Sequence, residues 1–273
     1  MYILLLLLFT IGLFAGILGT IIGAGGGFIL VPVLLLIFPD KTPEEITSIS
    51  LAVVFFNAVS GTLAYRKMKR IDYKSGLIFA LSTIPGAILG SITVAMISRN
   101  IFNLIFGILL ILLASYLILK PEIKNDSNKI FPAAYTIRRI TDSNSNEYIY
   151  GYNKYHGMLL SLFIGFLSSL LGIGGGIIHV PILVSILNFP VHLATATSQF
   201  VILILSFTGS FIHLINGTLL ANILQVPILA IGAMTGAQIG ARLSNKLHGN
   251  LIIRLLAVVL ALVGVRILFM AFI

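Results

Sequence analysis

The chain has 273 residues, of which 58% are hydrophobic and 9% are charged, and its mean hydropathy is +1.11. A soluble domain has about 45–50% apolar and about 25% charged residues, so this composition excludes an ordinary soluble enzyme, a disordered chain and a nucleic-acid binder. The absence of cysteine excludes disulfides and thiolate metal sites, and the net charge of +9 fits the cytoplasmic loops of an inner-membrane protein.

Ten apolar segments follow one another along the chain, five on each side of a polar stretch. Eight have about 19–23 residues, enough to cross a hydrocarbon core of about 30 Å. They are predicted at 3–22, 44–64, 75–97, 101–119, 155–173, 194–213, 222–241 and 250–272. Two short segments, 26–38 and 177–188, complete the set. The sequence therefore predicts an all-α integral membrane protein, a polytopic helical bundle of eight long spans and two short helices.

The two halves of the chain repeat each other. With the numbering shifted by 149, residues 13–34 and 162–183 are identical at 12 of 22 positions. Such self-similarity indicates duplication. We expect a first transmembrane repeat at 1–120, a polar cytoplasmic linker at 121–154 and a second transmembrane repeat at 155–273.

The distribution of basic residues favours inverted repeats. If all ten segments cross, thirteen Lys and Arg residues lie in loops on one side and two on the other; if the short segments dip in and return, the split is eleven to four. The positive-inside rule prefers the first arrangement. Five crossings per half invert the second half and place both termini outside, in a multi-pass protein of the cell (inner) membrane.

A triple glycine begins each short segment. Thirteen residues make a helix only about 20 Å long, so its glycine end lies inside the membrane, and inversion brings the two ends together near the midplane. The first turn of a helix offers unpaired N–H groups and the positive end of its dipole, which suits an anion. The candidate donors are Gly25, Gly26, Gly27, Phe28, Gly174, Gly175, Gly176 and Ile177. The alternative is that these glycines only permit tight turns and close packing.

Polar residues that follow each hairpin are further candidate ligands. Hydroxyl and amide side chains can bind an oxyanion although they carry no full charge themselves. The candidates of this kind are Thr47, Ser50, Thr195, Ser198 and Gln199. The alternative for Ser and Thr is capping or hydrogen bonding to carbonyls of their own helix. His179, three residues after Gly176, is either a ligand or a packed core histidine.

Acidic residues are missing from the interiors of the predicted spans. Cation pumps and many proton-coupled carriers place carboxylates there, so a cation transporter is disfavoured. The sequence shows neither a catalytic constellation nor a metal-ligand motif, and we expect no enzyme activity, cofactor or metal. The expected partners are a small anionic substrate and the lipid bilayer, without nucleic acid.

The doubled glycine motif resembles that of the TauE/SafE family of sulfite exporters. It runs from Gly16 to Leu34 and from Gly165 to Leu183, and the stretch 194–198 looks like the threonine–serine helix start of that family. The loop ending at Asp72 is also similar, whereas the central linker is longer and more polar than the family leads us to expect. The resemblance implies a membrane transporter of sulfite, thiosulfate or small organosulfonates.

We therefore predict a secondary transporter that works by alternating access around the two glycine-rich tips. Two alternatives stay open. A passive anion channel predicts a continuous polar pore, and a membrane scaffold without substrate predicts tips that are packed shut.

Overall fold

Eleven α-helices and one two-stranded sheet form the part of the chain that the structure describes, residues 2–119, 132 and 135–272 of a computed structural model. The first half contains α1 (Tyr2–Ile22), α2 (Gly27–Ile37), α3 (Pro43–Lys67), α4 (Tyr73–Thr93), which a 3-10 turn extends to Met96, and α5 (Arg99–Leu119). Strands β1 (Thr136–Thr141) and β2 (Glu147–Tyr152) follow. The second half contains α6 (Lys154–Leu171), α7 (Gly176–Ser185), α8 (Val191–Ile215), α9 (Thr218–Ala221), α10 (Val226–Ser244) and α11 (Gly249–Phe272).

Seven of these helices, α1, α3, α4, α5, α6, α8 and α10, are long and apolar enough to cross a membrane, as judged from the described residues. Large apolar side chains cover the outside of the bundle, for example Ile3 with 85% and Phe163 with 59% of its surface exposed. Such a surface suits lipid and not water. The prediction of an all-α polytopic membrane protein is confirmed.

Among the predicted helix starts, the largest difference from the structure is four residues. The ninth apolar segment, predicted from 222, begins as a helix only at Val226, because Gly217 in left-handed conformation starts the separate short helix α9 before it. Side chains cap the starts of three long helices, α3, α4 and α6. Thr42 and Glu45 form a capping box before α3, and Asp72 caps α4.

Glycines determine how the long helices pair. In α1 and α4 they face the backbone of the partner helix, where a β-carbon would overlap it. The facing pairs are Gly12 with Leu229, Gly16 with Ala233, Gly86 with Leu162 and Gly90 with Phe166. Within each pair of helices, the residue numbers of both partners increase together from one facing contact to the next. Helix α1 therefore runs parallel to α10, and α4 runs parallel to α6.

Two further pairs run antiparallel. In the centre, Gly61 of α3 meets Gln199 of α8, whereas Gly209 of α8 meets Leu51 of α3. At the side, α5 pairs with α11, where Gly107 meets Leu268. The short helices α2 and α7 lie against α3 and α8 respectively, so the elements after the two glycine runs form the middle of the bundle.

A β-hairpin lies in the second part of the predicted linker. Strands β1 and β2 pair antiparallel with Arg138 opposite Tyr150, while residues 120–131, 133 and 134 lie outside the described part. Ser143 of the turn donates a backbone hydrogen bond to Met68, 3.0 Å away. We call the end of the bundle that carries the β-hairpin, with loops 68–72, 186–190 and 245–248, the hairpin end. The far end carries loops 38–42 and 216–225.

Candidate functional site

The two glycine runs meet each other. We call residues 23–27 the first tip and 172–176 the second tip; both are fully buried. A β-carbon on Gly27 would lie 2.6 Å from the carbonyl oxygen of Gly172, and one on Gly176 would lie 2.5 Å from Cα of Ala24. Real β-carbons do not approach that closely, so glycine is required here by the contact between the tips.

Each tip is held by a helix from the other half of the chain. Ser198 of α8 donates a hydrogen bond of 2.9 Å to the carbonyl of Gly23, and Ser50 of α3 donates one of 2.7 Å to the carbonyl of Gly172. Thr195 and Thr47 stand against the same two glycines. The hydroxyls of Thr47 and Thr195 bond instead to carbonyls three residues earlier in their own helices.

The first turns of α2 and α7 lack caps. Both N-cap residues, Gly26 and Gly175, have left-handed backbones and no side-chain cap. Among the described residues, no acceptor takes a hydrogen bond from the backbone N–H groups of Gly27 and Phe28, or of Gly176 and Ile177. Buried N–H groups without acceptors are rare in proteins. Two positive helix ends with unpaired donors therefore meet at the centre of the molecule.

A polar cluster that the sequence analysis missed adjoins the first tip. Asn57 of α3 donates a hydrogen bond of 3.0 Å to the carbonyl of Gly25 and accepts one of 3.2 Å from Thr20. Gln199 lies beside it and donates to the backbone carbonyl of Asn57 at 3.4 Å. The available signal was an asparagine in the middle of a span whose counterpart in the second half is Leu205.

The structure thus brings most of the predicted site residues together. The tip glycines, Thr47, Ser50, Thr195 and Ser198 form one contact region, and Gln199 joins it through Asn57. Val54 and Ile202 supply an apolar wall, since a β-carbon on either Gly25 or Gly174 would meet both side chains. The site is closed in this conformation.

Comparison with known proteins identifies the family of this chain. The family model described as "Sulfite exporter TauE/SafE" matches residues 8–267. The chain belongs to the TauE/SafE family. A protein of Bacillus subtilis named "Probable membrane transporter protein YunE" is 37% identical over 96% of this chain and 97% of its own length. A protein of Methanocaldococcus jannaschii, also named as a probable membrane transporter, is 30% identical over 96% of this chain and 94% of its own length. No solved structure matches.

Membership of the TauE/SafE family identifies the chain as a multi-pass membrane transporter and not an enzyme. In the described part of the chain no group of three or more His, Asp or Glu residues could hold a metal ion.

His179 of this TauE/SafE protein lies apart from the hydroxyls. Its ring packs edge-on against Phe79 of α4, with centroids 5.9 Å apart. It is buried, and neither ring nitrogen has a partner among the described residues. Phe79 in turn contacts Tyr152 of the β-hairpin, and Tyr152 contacts Phe189, so the aromatic contacts continue from His179 to the β-hairpin. His179 therefore belongs to the packing beneath the hairpin end.

Asp72 joins three elements at the hairpin end. Its carboxylate accepts hydrogen bonds from Arg138, at 2.7 and 3.0 Å, and from Tyr150, at 2.7 Å, while its backbone N–H donates to Thr197 of α8. Burial works to raise the pKa of Asp72, but the hydrogen bonds from Arg138, Ser75 and Tyr150 outweigh it and hold the pKa below its ordinary value. The β-hairpin is thereby fixed to α4 and α8.

The far end has its own contact between the halves. Thr218 of α9 donates a hydrogen bond of 2.7 Å to Glu44 of α3, and His213 of α8 lies 3.8 Å from the same carboxylate. Lys41 is hydrogen-bonded to Asn222 nearby. A cavity of 350 Å³ opens beside this contact, lined in part by Lys41 and Arg99. Polar contacts therefore join neighbouring elements at both ends of the bundle.

Proposed function

We propose that this protein is a secondary transporter of a small oxyanion, with sulfite, thiosulfate or an organosulfonate as its substrate. The observation that carries the proposal is the meeting of two buried, uncapped helix N-termini with unpaired N–H groups at Gly27, Phe28, Gly176 and Ile177. Such ends bind anions through backbone donors and the helix dipole. In transporters they commonly point at anionic substrate groups near the midplane.

We propose alternating access between two inverted repeats as the mechanism. The helix directions support this mechanism. Helix α1 is parallel to α10, and α6 is parallel to α4, so the first pair takes the place of the second when the two halves are exchanged. Helix α3 pairs antiparallel with α8, and α5 pairs antiparallel with α11. The closed contacts at both ends fit an occluded state between two openings. The positive-inside rule assigns the hairpin end to the cytoplasm and both termini to the outside.

Roles for the side chains follow from the same geometry. Ser50 and Ser198 hold the tips of the opposite half and change partners when the halves move. Gln199 supplies an amide next to the first tip, and its Oε1 has no partner among the described residues. Thr47 and Thr195 line the tip glycines, and His179 lies under the aromatic contact on the way to the hairpin end.

The test is uphill transport. The purified protein is reconstituted into liposomes, and uptake of sulfite, thiosulfate, sulfoacetate, sulfate and phosphate is measured with and without ion gradients. We expect accumulation of at least one sulfur oxyanion above its outside concentration. Gly175→Val, which places a branched side chain next to Ser168 and Leu205, is expected to abolish uptake.

Gly217→Val is the matched control. Gly217 also has a left-handed backbone, but a β-carbon there meets no described atom within 4 Å. The variant Gly217→Val therefore introduces backbone strain without a steric overlap, and we expect it to transport normally. Uptake that only equilibrates the anion would favour a channel. A folded protein without uptake would favour a scaffold without substrate. The scaffold also predicts packed tips, but membership of a transporter family argues against it.

A further inference from the structure

Arg70, in the loop between α3 and α4, differs from the other basic residues of its run. Arg66, Lys67 and Lys69 are exposed, whereas Arg70 is 4% exposed. It is the only buried lysine or arginine among the residues whose burial the structure describes. Placing a guanidinium in such surroundings is costly unless its N–H groups are paired.

The guanidinium of Arg70 is only partly paired. Its Nη2 donates to Asn245 Oδ1 at 2.7 Å and to Asp142 Oδ2 at 3.3 Å. In the described part of the chain its Nε and Nη1 have no acceptor. Nδ1 of His192, which lies within electrostatic reach of Arg70, also has no described partner. Two of the three guanidinium nitrogens are thus buried without an acceptor among the described residues.

The only described carboxylate on Arg70 comes from the β-hairpin. Asp142 lies in its turn and does not depend on Arg70 for its own hydrogen bonds, because it also accepts from the backbone of Asn144 and Asn146 and from the Asn146 side chain. The β-hairpin is attached to the bundle independently, through Arg138 and Tyr150 on Asp72. Asp142 can therefore leave Arg70 together with the β-hairpin, without being left unpaired.

We propose that Arg70 is an oxyanion-binding site at the hairpin end, which the Asp142 carboxylate occupies while the β-hairpin is closed. Release of the β-hairpin frees Arg70, whose N–H groups then bind the transported anion on its way to or from the tips. Arginine suits the task, because its planar fork of donors matches the geometry of oxyanions.

The position of Arg70 supports a connection with the tips. It lies within electrostatic reach of Tyr65 of α3, whose hydroxyl donates to the carbonyl of Thr20 just before the first tip. The inference rests on the proposed function, since it names the first contact of the same substrate at one end of the path.

Asp142→Asn is the decisive variant, because it removes the competing carboxylate and leaves Arg70 in place. Binding of radiolabelled sulfite, thiosulfate and sulfate to the full-length protein in detergent is measured for this variant and for the wild type. If the closed β-hairpin blocks the site in most molecules, its release tightens apparent binding by about tenfold. Arg138→Gln, which loosens the β-hairpin without touching Arg70, is expected to act in the same direction.

Loss of Arg70 is tested with Arg70→Gln/Asp142→Asn, since the double change leaves no unpaired buried charge and favours folding, which a thermal melt verifies. We expect it to lose the gain in binding that Asp142→Asn alone shows. Arg66→Gln, an equal charge change at an exposed position four residues away, is expected to bind as the wild type does.

Unchanged binding in Asp142→Asn, or equal binding in Asp142→Asn and in the double variant, would overturn the inference. So would a folded Asp142→Asn protein that binds none of the anions. Uphill uptake by the wild type decides the proposed function separately, so a transporter that works without Arg70 remains distinguishable from a protein that transports no oxyanion.

Discussion

Two serines connect the halves of the molecule in a reciprocal way. Ser50 reaches from α3 to the second tip, and Ser198 reaches from α8 to the first. The two positions correspond in the repeat, at an offset of 148. Because each hydroxyl pairs a buried carbonyl, the proposed mechanism makes either serine available to a substrate only when the tips move.

Replacing these serines should destabilise the closed state. We expect Ser50→Ala and Ser198→Ala each to lose about 1 kcal/mol, since each removes one buried hydrogen bond. Melting in detergent measures this loss as a lower midpoint. Thr208→Ala, whose hydroxyl bonds only to Ile204 in its own helix, is the control. Midpoints as high as the control's would show that the serines do not hold the tips.

Asn57 makes the first tip more polar than the second. Asn57→Leu installs the residue type found at the corresponding position 205 and leaves Thr20 and the carbonyl of Gly25 without partners. Leaving buried groups unpaired costs about 1–3 kcal/mol each. We expect a lower melting midpoint and reduced uptake.

A double variant separates these two losses. Asn57→Leu/Thr20→Val also removes the unpaired hydroxyl and should recover part of the stability of the single variant. A single variant as stable as the wild type would contradict the role of Asn57.

The tip glycines and the serines that bind them could be predicted because they occur twice, whereas Asn57 and Arg70 could not. Gly175 and Ser198 have counterparts in Gly26 and Ser50, and duplication drew attention to all four. The counterpart of Asn57 is the apolar Leu205, so the repeat offered no signal for it. Arg70 and Asp142 are 72 residues apart, and a contact over that separation is decided by packing that local pattern does not reveal.

At the scale of elements, the β-hairpin is the main addition to what the sequence predicted. Its polar composition marked residues 121–154 as a linker. The signal that was present is the alternation of Tyr148, Tyr150 and Tyr152, a period of two that is typical of a strand. Tyr150 and Tyr152 are buried against Phe189, so these aromatic side chains attach the strand to the bundle.

The attachment of the β-hairpin should depend on pH. The pKa of Asp72 is held below its ordinary value of 3.8 in the folded protein. The stabilisation is therefore complete above pH 3.8 and disappears as the pH falls through the folded pKa. A fluorophore on Asn144→Cys, in a chain without other cysteines, should report release of the β-hairpin only in that acidic range.

Two variants check this assignment. Asp72→Asn should release the β-hairpin already at neutral pH and flatten the titration. Glu147→Gln, which alters an exposed ion pair with Arg139, should leave the profile unchanged because such pairs contribute little. An unaltered titration in Asp72→Asn would assign the transition to another group.

At the scale of the whole molecule, the ten predicted segments all correspond to helices, because long apolar runs and their flanking polar residues define membrane spans strongly. How the helices pair was less accessible. The sequence shows the glycines of α1 and α4, but it does not show which helix backbone each of them contacts.

Relative motion of the halves can be tested by cross-linking the far end. Glu44→Cys with Thr218→Cys places two thiols at a contact between the halves. A short bifunctional thiol reagent should then stop uptake, and cleavage of the link should restore it. Thr42→Cys with Glu45→Cys joins residues of one half that also touch and should transport after cross-linking. Full uptake by the linked pair between halves would argue against alternating access.

In the described part of the chain only one end of the bundle carries a strand hairpin. In the proposed alternating-access mechanism, opening that end requires separation of the β-hairpin contacts, which the far end lacks, so the two open states would differ in free energy. In a carrier, the driving gradients alone determine the final ratio of substrate concentrations. Open states of unequal free energy nevertheless give the carrier different apparent affinities for its substrate on the two faces. We expect half-saturation to differ between uptake and efflux, and the β-hairpin to determine which direction saturates first.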